Sequence, residues 1–255
     1  MKGPPSSTIR ALCVLTCLLL PVLTWSESFH DLVKEADAAT IQSAIDAGAD
    51  LQALDPWGYS PLSLAASNNK PSMVQVLLDA GADLEAGTEW GTTPLASAAG
   101  NNENADVVQL LLDAGADLEA SDQWGQTPLM FAAEHAANTE GVQLLLEAGA
   151  DLEARNEYGW TPLIFAADRN QSPDVVQVLL DAGADLEVRN EYGWTPLMIA
   201  AVKNTSSAVL EALLDAGADV TATNEEGETA WDFIQYNEAL EGSPAYWALN
   251  DLRSQ

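Results

Sequence analysis

The sequence predicts an all-α repeat solenoid, a single stack of helix pairs, and three observations lead to this prediction. The tripeptide Gly-Ala-Asp recurs at intervals of 33 or 34 residues, beginning at Gly48, Gly81, Gly115, Gly149, Gly183 and Gly217. The dipeptide Pro-Leu keeps the same interval, at Pro61, Pro94, Pro128, Pro162 and Pro196. Between these markers the apolar residues follow a helical period, and a fixed repeat of this length is typical of a solenoid.

The N-terminal segment is interpreted as a secretion signal and not as part of the fold. Lys2 and Arg10 precede an apolar run, residues 11–20, which is too short to span a membrane. Small residues near position 26 then offer a site that a signal peptidase would read. We therefore predict that residues 1–26 are a signal peptide and that the protein is exported, either periplasmic or secreted. The alternative is an anchor that stays uncleaved.

The composition limits the classes of partner. The chain carries 39 acidic and 9 basic side chains, a formal net charge of -30. Nucleic acid and anionic membranes require clustered Lys and Arg, so neither is expected as a partner. The charge favours solubility, a salty medium or a protein partner with a basic surface. Cys13 and Cys17 are the only cysteines and lie in the predicted signal, so the mature domain is expected to have no disulfide or cysteine site.

The first half of a unit has the features of a short helix. Thr161 suits an N-cap, and Pro162 suits the first helical position. Leu163, Ala166 and Ala167 then fall at helical spacing on one face. Because two of these three residues are alanines, a neighbouring helix can approach this face closely.

The second half of the same unit predicts another helix and a projecting finger. Residues 170–173 form a polar turn, and residues 175–182 have the apolar spacing of a helix. Gly183 follows as a left-handed C-cap. The polar stretch 185–195, with Gly193 at its tip, predicts a two-stranded finger. One such unit cannot bury its own apolar face, whereas a stack of units can.

These motifs resemble the ankyrin repeat. Thr-Pro-Leu-x-x-Ala-Ala, followed by Val-Val-x-x-Leu-Leu-x-Ala-Gly-Ala-Asp, is similar to the signature of that family, and the resemblance extends over about residues 29–252. It implies an ankyrin stack of helix pairs joined by β-hairpin fingers. Within a single domain, 27–255, it implies an N-terminal cap at 27–54, five repeats at 55–219 and a C-terminal cap at 220–255. It also implies that a partner protein binds to the concave face formed by the fingers and the first helices.

The sequence departs from the family in two places. The histidine that follows Thr-Pro-Leu in the family is replaced in every unit, by Ser63, Ala96, Met130, Ile164 and Met198. Because the resemblance gives that histidine a hydrogen bond between turns, it implies a less rigid connection here. Four units also carry one extra residue in the turn between the helices, for example near 101–104 and 138–140.

Aromatic residues mark the finger tips. The residue before the tip glycine is aromatic in five successive units, and the residue after it is aromatic in three. The two series are Trp57, Trp90, Trp124, Tyr158 and Tyr192 before the glycine, and Tyr59, Trp160 and Trp194 after it. Because Trp and Tyr are enriched at binding hot spots, we predict that these rings contact the partner. The alternative is packing between fingers, which is favoured for Trp160 and Trp194 and evenly balanced for the series before the glycine.

A row of acids accompanies the rings. A glutamate follows two residues after the Asp of Gly-Ala-Asp in four units, at Glu85, Glu119, Glu153 and Glu187. We predict that these glutamates flank or steer the partner, while the aspartates bond their own loop. The alternative for the glutamates is a solvated face without a specific role. Arg155 and Arg189 lie two residues after Glu153 and Glu187, a spacing that predicts ion pairs between fingers.

Residues for catalysis or metal binding are scarce. His30 and His135 lie in different units, and no nucleophile elbow, phosphate loop or His-Glu-x-x-His motif occurs. We therefore expect a non-enzymatic monomer without cofactor or metal. The predicted function is an exported protein–protein interaction scaffold that protects or inhibits an exported enzyme or toxin. The alternatives are an acidic stability or solubility protein without a dedicated partner, and an enzyme of unknown type.

Two tripeptides have the form of N-glycosylation acceptors, Asn170-Gln171-Ser172 and Asn204-Thr205-Ser206. If the protein is made in a eukaryotic cell, we expect both asparagines to lie in exposed turns, where they are open to modification.

Overall fold

The computed structural model describes residues 25–68, 70–101, 105–135 and 139–252. Apart from its last two positions, the predicted signal peptide lies outside the described residues. Parts of the two longer turns, 102–104 and 136–138, lie outside them as well. Within the described ranges the chain forms fourteen helices and no β-strand. None of those helices has the length and apolar character that crossing a membrane requires.

The helices alternate along the chain between two positions in the stack. The first helices of the units are α1 (Trp25–Glu35), α3 (Pro61–Ser67), α5 (Pro94–Asn101), α7 (Pro128–His135), α9 (Pro162–Arg169), α11 (Pro196–Lys203) and α13 (Ala230–Ile234). The second helices are α2 (Ala38–Asp46), α4 (Pro71–Asp79), α6 (Asp106–Asp113), α8 (Glu140–Glu147), α10 (Pro173–Asp181), α12 (Ser207–Asp215) and α14 (Pro244–Leu252). First helices pack on first helices of the adjacent units, and second helices on second helices. The predicted all-α solenoid of helix pairs is confirmed.

The second helices end at glycines in the left-handed conformation. Their φ angles lie between 85° and 99°, at Gly81, Gly115, Gly149, Gly183 and Gly217. A Cβ atom at any of these positions would meet nothing within 4 Å. The requirement for glycine is therefore the backbone angle and not a lack of space, as the sequence predicts.

Five of the first helices, α3, α5, α7, α9 and α11, begin at a Pro residue that follows a Ser or Thr. The Thr195 hydroxyl accepts the N–H of Met198 at 3.4 Å, which caps α11. The equivalent Thr161 hydroxyl is buried and has no hydrogen-bond partner. The residue that replaces the family histidine in this unit, Ile164, is fully buried and offers no polar atom to that hydroxyl.

A continuous apolar core runs through all the units. The alanine pair of each central first helix is wholly buried, for example residues 132–133 and 166–167. Leu129 and Leu145 of one unit are also wholly buried, and burying such a side chain contributes about 1.5–3 kcal/mol. At the C-terminal end, the Trp231 ring lies 5.1 Å from that of Tyr246 and covers the last apolar layer. Each unit buries its face only against its neighbours, so the stack folds as one core.

The fingers are tight hairpin turns. In the fourth finger the N–H of Asn156 donates to the carbonyl of Trp160 at 3.1 Å, and the N–H of Gly159 donates back to the carbonyl of Asn156 at 3.0 Å. The Asn156 side-chain oxygen accepts the N–H groups of Tyr158 and Trp160, each at 2.9 Å. Because the Asn156 side chain takes these donors, no strand ladder is formed within the described part of this finger, and the predicted two-stranded finger is a tight turn instead.

Buried asparagines connect the turns between first and second helices. The Asn204 amide donates to the carbonyls of Ala167 and Asn170, at 3.0 and 2.9 Å. Asn170 and Asn237 donate in the same way to the preceding unit. The expectation that Asn170 and Asn204 lie in exposed turns is therefore wrong: both are buried, and Asn204 is 0 % exposed. An amide nitrogen with two backbone acceptors in the core is not open to glycosylation in the folded protein.

Candidate functional site

Each finger tip is built on one buried polar residue, which we call its anchor. The anchors are Asp55, Thr88, Asp122, Asn156, Asn190 and Asn224. In the third finger the Asp122 carboxylate accepts the N–H groups of Trp124 and Gln126, each at 2.9 Å. The anchors are not among the residues predicted from the sequence, although an Asp, Asn or Thr two residues before each tip aromatic is typical of this kind of turn.

One anchor carries a perturbed charge. Burial raises the pKa of the Asp122 carboxyl, while its hydrogen bonds from the N–H groups of Gln126 and Trp124 lower the pKa in part, and the nearby charge of Glu157 raises it. The second carboxylate oxygen of Asp122 is buried without a hydrogen-bond partner. The next two fingers use Asn156 and Asn190 at this position, which give the same acceptor without a charge.

The five aromatic residues before the tip glycines are exposed. We call them the tip rings: their exposed fractions are 60% for Trp57, 42% for Trp90, 38% for Trp124, 46% for Tyr158 and 59% for Tyr192. Among the described residues, none of these rings is stacked on another aromatic ring. Among the described residues, the tip rings are therefore not joined to one another by stacking, and each keeps between 38% and 60% of its surface exposed.

The three aromatic residues after the tip glycines turn the other way. Tyr59, Trp160 and Trp194 are partly buried against the core. The Trp194 ring stacks on Phe233 with centroids 4.5 Å apart, and the Trp160 ring lies 5.2 Å from Phe165. These residues are predicted to contact a partner together with the tip rings, and the ring contacts of Trp160 and Trp194 are with aromatic residues of first helices.

Adjacent fingers are joined through the backbone of the tip rings. The carbonyls of Trp90 and Trp124 accept N–H groups from the next finger, at Gln123 (2.8 Å) and Glu157 (3.0 Å). The approach is so close that a Cβ atom on Gly58 would lie 2.5 Å from the nitrogen of Glu89, and the φ of Gly58 is 79°. Only glycine meets both conditions. The spacing of the rings is therefore set by the stack.

The row of glutamates connects successive repeats. In each case one carboxylate oxygen accepts the backbone N–H of the Asp in the next Gly-Ala-Asp, at 2.8 or 2.9 Å. The pairs are Glu85 with Asp117, Glu119 with Asp151, Glu153 with Asp185, and Glu187 with Asp219. The aspartates bond their own loop, as predicted; Asp117, for example, accepts the N–H of Glu119. Each glutamate thus has a structural role in addition to the charge that it presents to solvent.

The two finger arginines bond to carbonyl groups. Arg155 donates to the carbonyl of Arg189 at 2.9 Å, and Arg189 donates to the carbonyls of Gly193 and Thr223, each at 2.7 Å. The predicted ion pairs with Glu153 and Glu187 are not formed, because the guanidinium groups reach the backbone of the tip and of the next finger instead.

A charged cluster lies at the ends of three first helices and was not predicted. Arg169 lies 2.6 Å from a Glu134 oxygen and 3.2 Å from an Asp168 oxygen, and Lys203 lies 3.4 Å from the other Asp168 oxygen. Both carboxylates are buried, and Lys203 also lies over the Trp160 ring at 5.0 Å. The cluster joins α7, α9 and α11. Acids and bases at equivalent positions of consecutive units were the signal in the sequence.

The two histidines lie in separate environments. His30 is buried, with its Nε2 atom 3.0 Å from the carbonyl oxygen of Tyr59, and His135 lies 3.6 Å from the Glu134 carboxylate. Over the described ranges, no group of three or more His, Cys, Asp or Glu side chains converges as a metal site would require.

Comparisons with known proteins agree on the type of repeat. The sequence matches the family described as "Ankyrin repeats (3 copies)" over residues 29–122, 101–190 and 129–224. The human ASB11 ankyrin repeat domain has a TM-score of 0.74 and 25% sequence identity, covering 87% of this chain and 96% of that chain. The ankyrin repeat domain of Bcl-3, a member of the IkappaB protein family, has a TM-score of 0.65 and 29% identity, covering 84% and 96%. No curated protein sequence matches the chain.

Proposed function

The chain belongs to the ankyrin repeat family, and on that premise we propose that it is an exported interaction scaffold that binds a partner protein through its tip rings. Ankyrin repeats support the broader class, a protein–protein interaction scaffold. The observation that carries the specific proposal is the series of five exposed aromatic side chains at one position of successive fingers.

The rings are well suited to binding because the backbone that carries them is held in place before a partner arrives. The anchors fix each tip, and bonds such as that from Glu157 to the Trp124 carbonyl fix the distance between tips. Trp and Tyr bury a large area at a small cost in rotamer entropy. A backbone that is already fixed loses little further freedom on binding, which favours affinity.

The charge and the N-terminal sequence support the other parts of the proposal. A net charge of -30 favours a partner with a basic surface, and it disfavours nucleic acid and anionic membranes. The signal-like segment, residues 1–26, favours export to the periplasm or secretion. In such a compartment a monomeric scaffold would protect or inhibit an exported enzyme or toxin. An acidic solubility protein without a partner would not require a regular row of exposed rings.

The proposal is tested by affinity capture from the exported fraction of the source cell. One bait carries Trp57, Trp90 and Trp124 changed to Ala. The matched control is Tyr236→Ala, which removes an aromatic side chain that is 86% exposed in the C-terminal cap, away from the tips. We expect the parent and the control to retain the same partner and the triple variant to lose it. Equal recovery by all three folded proteins would contradict the proposal.

A further inference from the structure

A second series of side chains alternates with the tip rings. The residue directly before the aromatic position is acidic in four fingers, and we call these residues the tip acids: Glu89, Glu157, Glu191 and Glu225. All four are exposed, and within the described part of the chain none of their carboxylates belongs to an ion pair. In the third finger the same position is occupied by Gln123.

The tip acids lie between consecutive rings. The Cγ atom of Glu191 lies 3.3 Å from the position that a Cβ atom would take on Gly159, the neighbour of the Tyr158 ring. Glu225 has the same relation to Gly193, at 3.2 Å. The side chains of Glu191 and Glu225 therefore lie beside the tip glycine of the finger before them, next to its aromatic residue. Aromatic faces and free negative charges alternate along one row.

One tip ring already holds a cation. The Lys34 ammonium, on helix α1, lies over the Trp57 ring at 5.1 Å from its centroid. A cation at this distance is attracted by the electron-rich face of the ring. The contact between Lys34 and Trp57 thus indicates that the tip rings accept a cationic group. Lys34 belongs to the N-terminal cap and lies over the ring of the first finger.

We propose that the row of tip rings and tip acids binds an extended segment of the partner that carries Lys or Arg at every third position. This inference rests on the proposed function and specifies the chemistry of the partner. Successive units stack about 10 Å apart, the usual distance between packed helices. A polyproline II segment has three residues per turn and rises about 3.1 Å per residue, so its every third side chain lies on one face about 9 Å apart. Each cation then meets one ring, with a carboxylate beside every ring except that of Trp90, where Gln123 takes the place of the acid.

A β-strand does not match the row. Its side chains on one face are separated by about 6.6 Å, two residues of about 3.3 Å each, so they fall out of register with the units after one finger. The charge of the row also favours a cationic segment over a neutral one, because the tip acids have no basic partner of their own.

The test uses two synthetic peptides titrated against the full chain at low salt, with tryptophan fluorescence or calorimetry as the readout. Both contain five lysines among the same prolines and serines. One has a lysine at every third position, and the other has the five lysines in a block. A cation over an exposed ring contributes roughly two- to five-fold in affinity. We therefore expect the spaced peptide to bind at least about ten-fold more tightly. Equal affinities would overturn the proposal.

Single substitutions test separately the contributions of the tip acids and of the Trp57 ring to binding of the spaced peptide. Glu157→Gln should weaken binding of the spaced peptide, whereas Gln123→Glu, which completes the acidic series, should strengthen it. Lys34→Met should also strengthen it, because it frees the Trp57 ring. The control is Ser72→Glu, in the first turn of α4, which changes the net charge by the same amount away from the tips. If Lys34→Met strengthens binding no more than Ser72→Glu does, the proposal is overturned.

The outcome separates this inference from the proposed function. The captured partner is measured against the same variants and against Trp124→Ala. A partner that needs the rings but binds Glu157→Gln, Gln123→Glu and Lys34→Met like the parent contradicts this inference and leaves the interaction scaffold standing. A partner that binds Trp124→Ala like the parent contradicts both.

Discussion

The side chain of Glu119 accepts a hydrogen bond from the backbone N–H of Asp151, 2.8 Å away in the next repeat. The Asp151 side chain in turn accepts the N–H of Glu153 at 2.9 Å, and Glu153 continues to Asp185. Side chain and backbone thus alternate along one edge of the stack. An exposed glutamate ordinarily contributes only to solubility. Here the glutamates also form hydrogen bonds that connect one unit to the next.

The first prediction concerns that connection. Glu119→Ala should lower the free energy of unfolding by about 0.5–1.5 kcal/mol, because the Asp151 N–H loses its acceptor at an exposed site. Glu119→Gln keeps an oxygen in the same place and should lose clearly less. Urea denaturation of the three proteins measures the difference. If Gln and Ala cost the same, the charge and not the hydrogen bond stabilises the edge.

The second prediction concerns pH and Asp122. Its pKa is raised by burial, so between the ordinary value of about 3.9 and the raised value the folded protein holds a proton that the unfolded chain has released. The contribution of Asp122 to the free energy of unfolding therefore falls as the pH rises through that interval. Above the raised pKa, the full cost of burying the charged carboxylate is present. Asp122→Asn should raise the free energy of unfolding at pH 7 by about 1 kcal/mol, since burying an unpaired charged acceptor costs at least that much.

The gain from Asp122→Asn should disappear near pH 3, where the carboxyl is protonated in both states. The reciprocal variant, Asn156→Asp, should be destabilising at pH 7 and not at pH 3. Urea unfolding at the two pH values measures both. An equal gain from Asp122→Asn at both pH values would show that the buried charge is not the cause.

The third prediction concerns the N-caps. Thr161→Val removes a buried hydroxyl that has no partner, so we expect a neutral or stabilising change of up to about 1 kcal/mol. Thr195→Val removes a hydroxyl that caps Met198, so we expect a loss of about 1 kcal/mol. Thermal unfolding compares the two matched substitutions. If both substitutions change the Tm by the same amount, the hydrogen bond of the Thr195 hydroxyl does not contribute to stability.

The fourth prediction concerns the buried asparagines. Asn204→Ala leaves the carbonyls of Ala167 and Asn170 without their donor in the core, and it should lower the free energy of unfolding by at least about 2 kcal/mol. Thr205→Ala, at the exposed neighbouring position, should stay within about 0.5 kcal/mol. Equilibrium denaturation checks both values. A cost for Asn204→Ala as small as that of the control would contradict the role assigned to the amide.

The fifth prediction concerns binding. Trp124→Ala or Tyr158→Ala should weaken binding of the captured partner by about 2 kcal/mol or more, because a central aromatic side chain carries a large share of an interface. Glu153→Gln should mainly slow association, and added salt should mask its effect. Surface plasmon resonance measures the association and dissociation rates separately. If folded Trp124→Ala and Tyr158→Ala bind like the parent, the finger-tip site is wrong, and the second helices become the next candidate for the binding surface.

The candidate site could be predicted only in part. The five tip rings occupy a repeated position in the sequence, and in the structure they are between 38% and 60% exposed. Trp160 and Trp194 are the same type of residue two positions further on, yet they face the core. The left-handed glycine between the two positions, such as Gly193, reverses the chain, so residue type alone does not indicate which side chain remains exposed.

The sequence by itself determined the features that depend on local chemistry: the repeat of 33 or 34 residues, the helix pairs, and the glycines that end the second helices. These depend on caps, periodicity and backbone angles within one unit. The tertiary structure alone decided three hydrogen bonds: those between Glu119 and Asp151, between Asn204 and Ala167, and between Arg155 and Arg189. Each of these contacts joins residues 32 to 37 positions apart, across a boundary between units. The physical reason is that a hydrogen-bond partner in the next unit is set by how the units stack, which no single unit encodes.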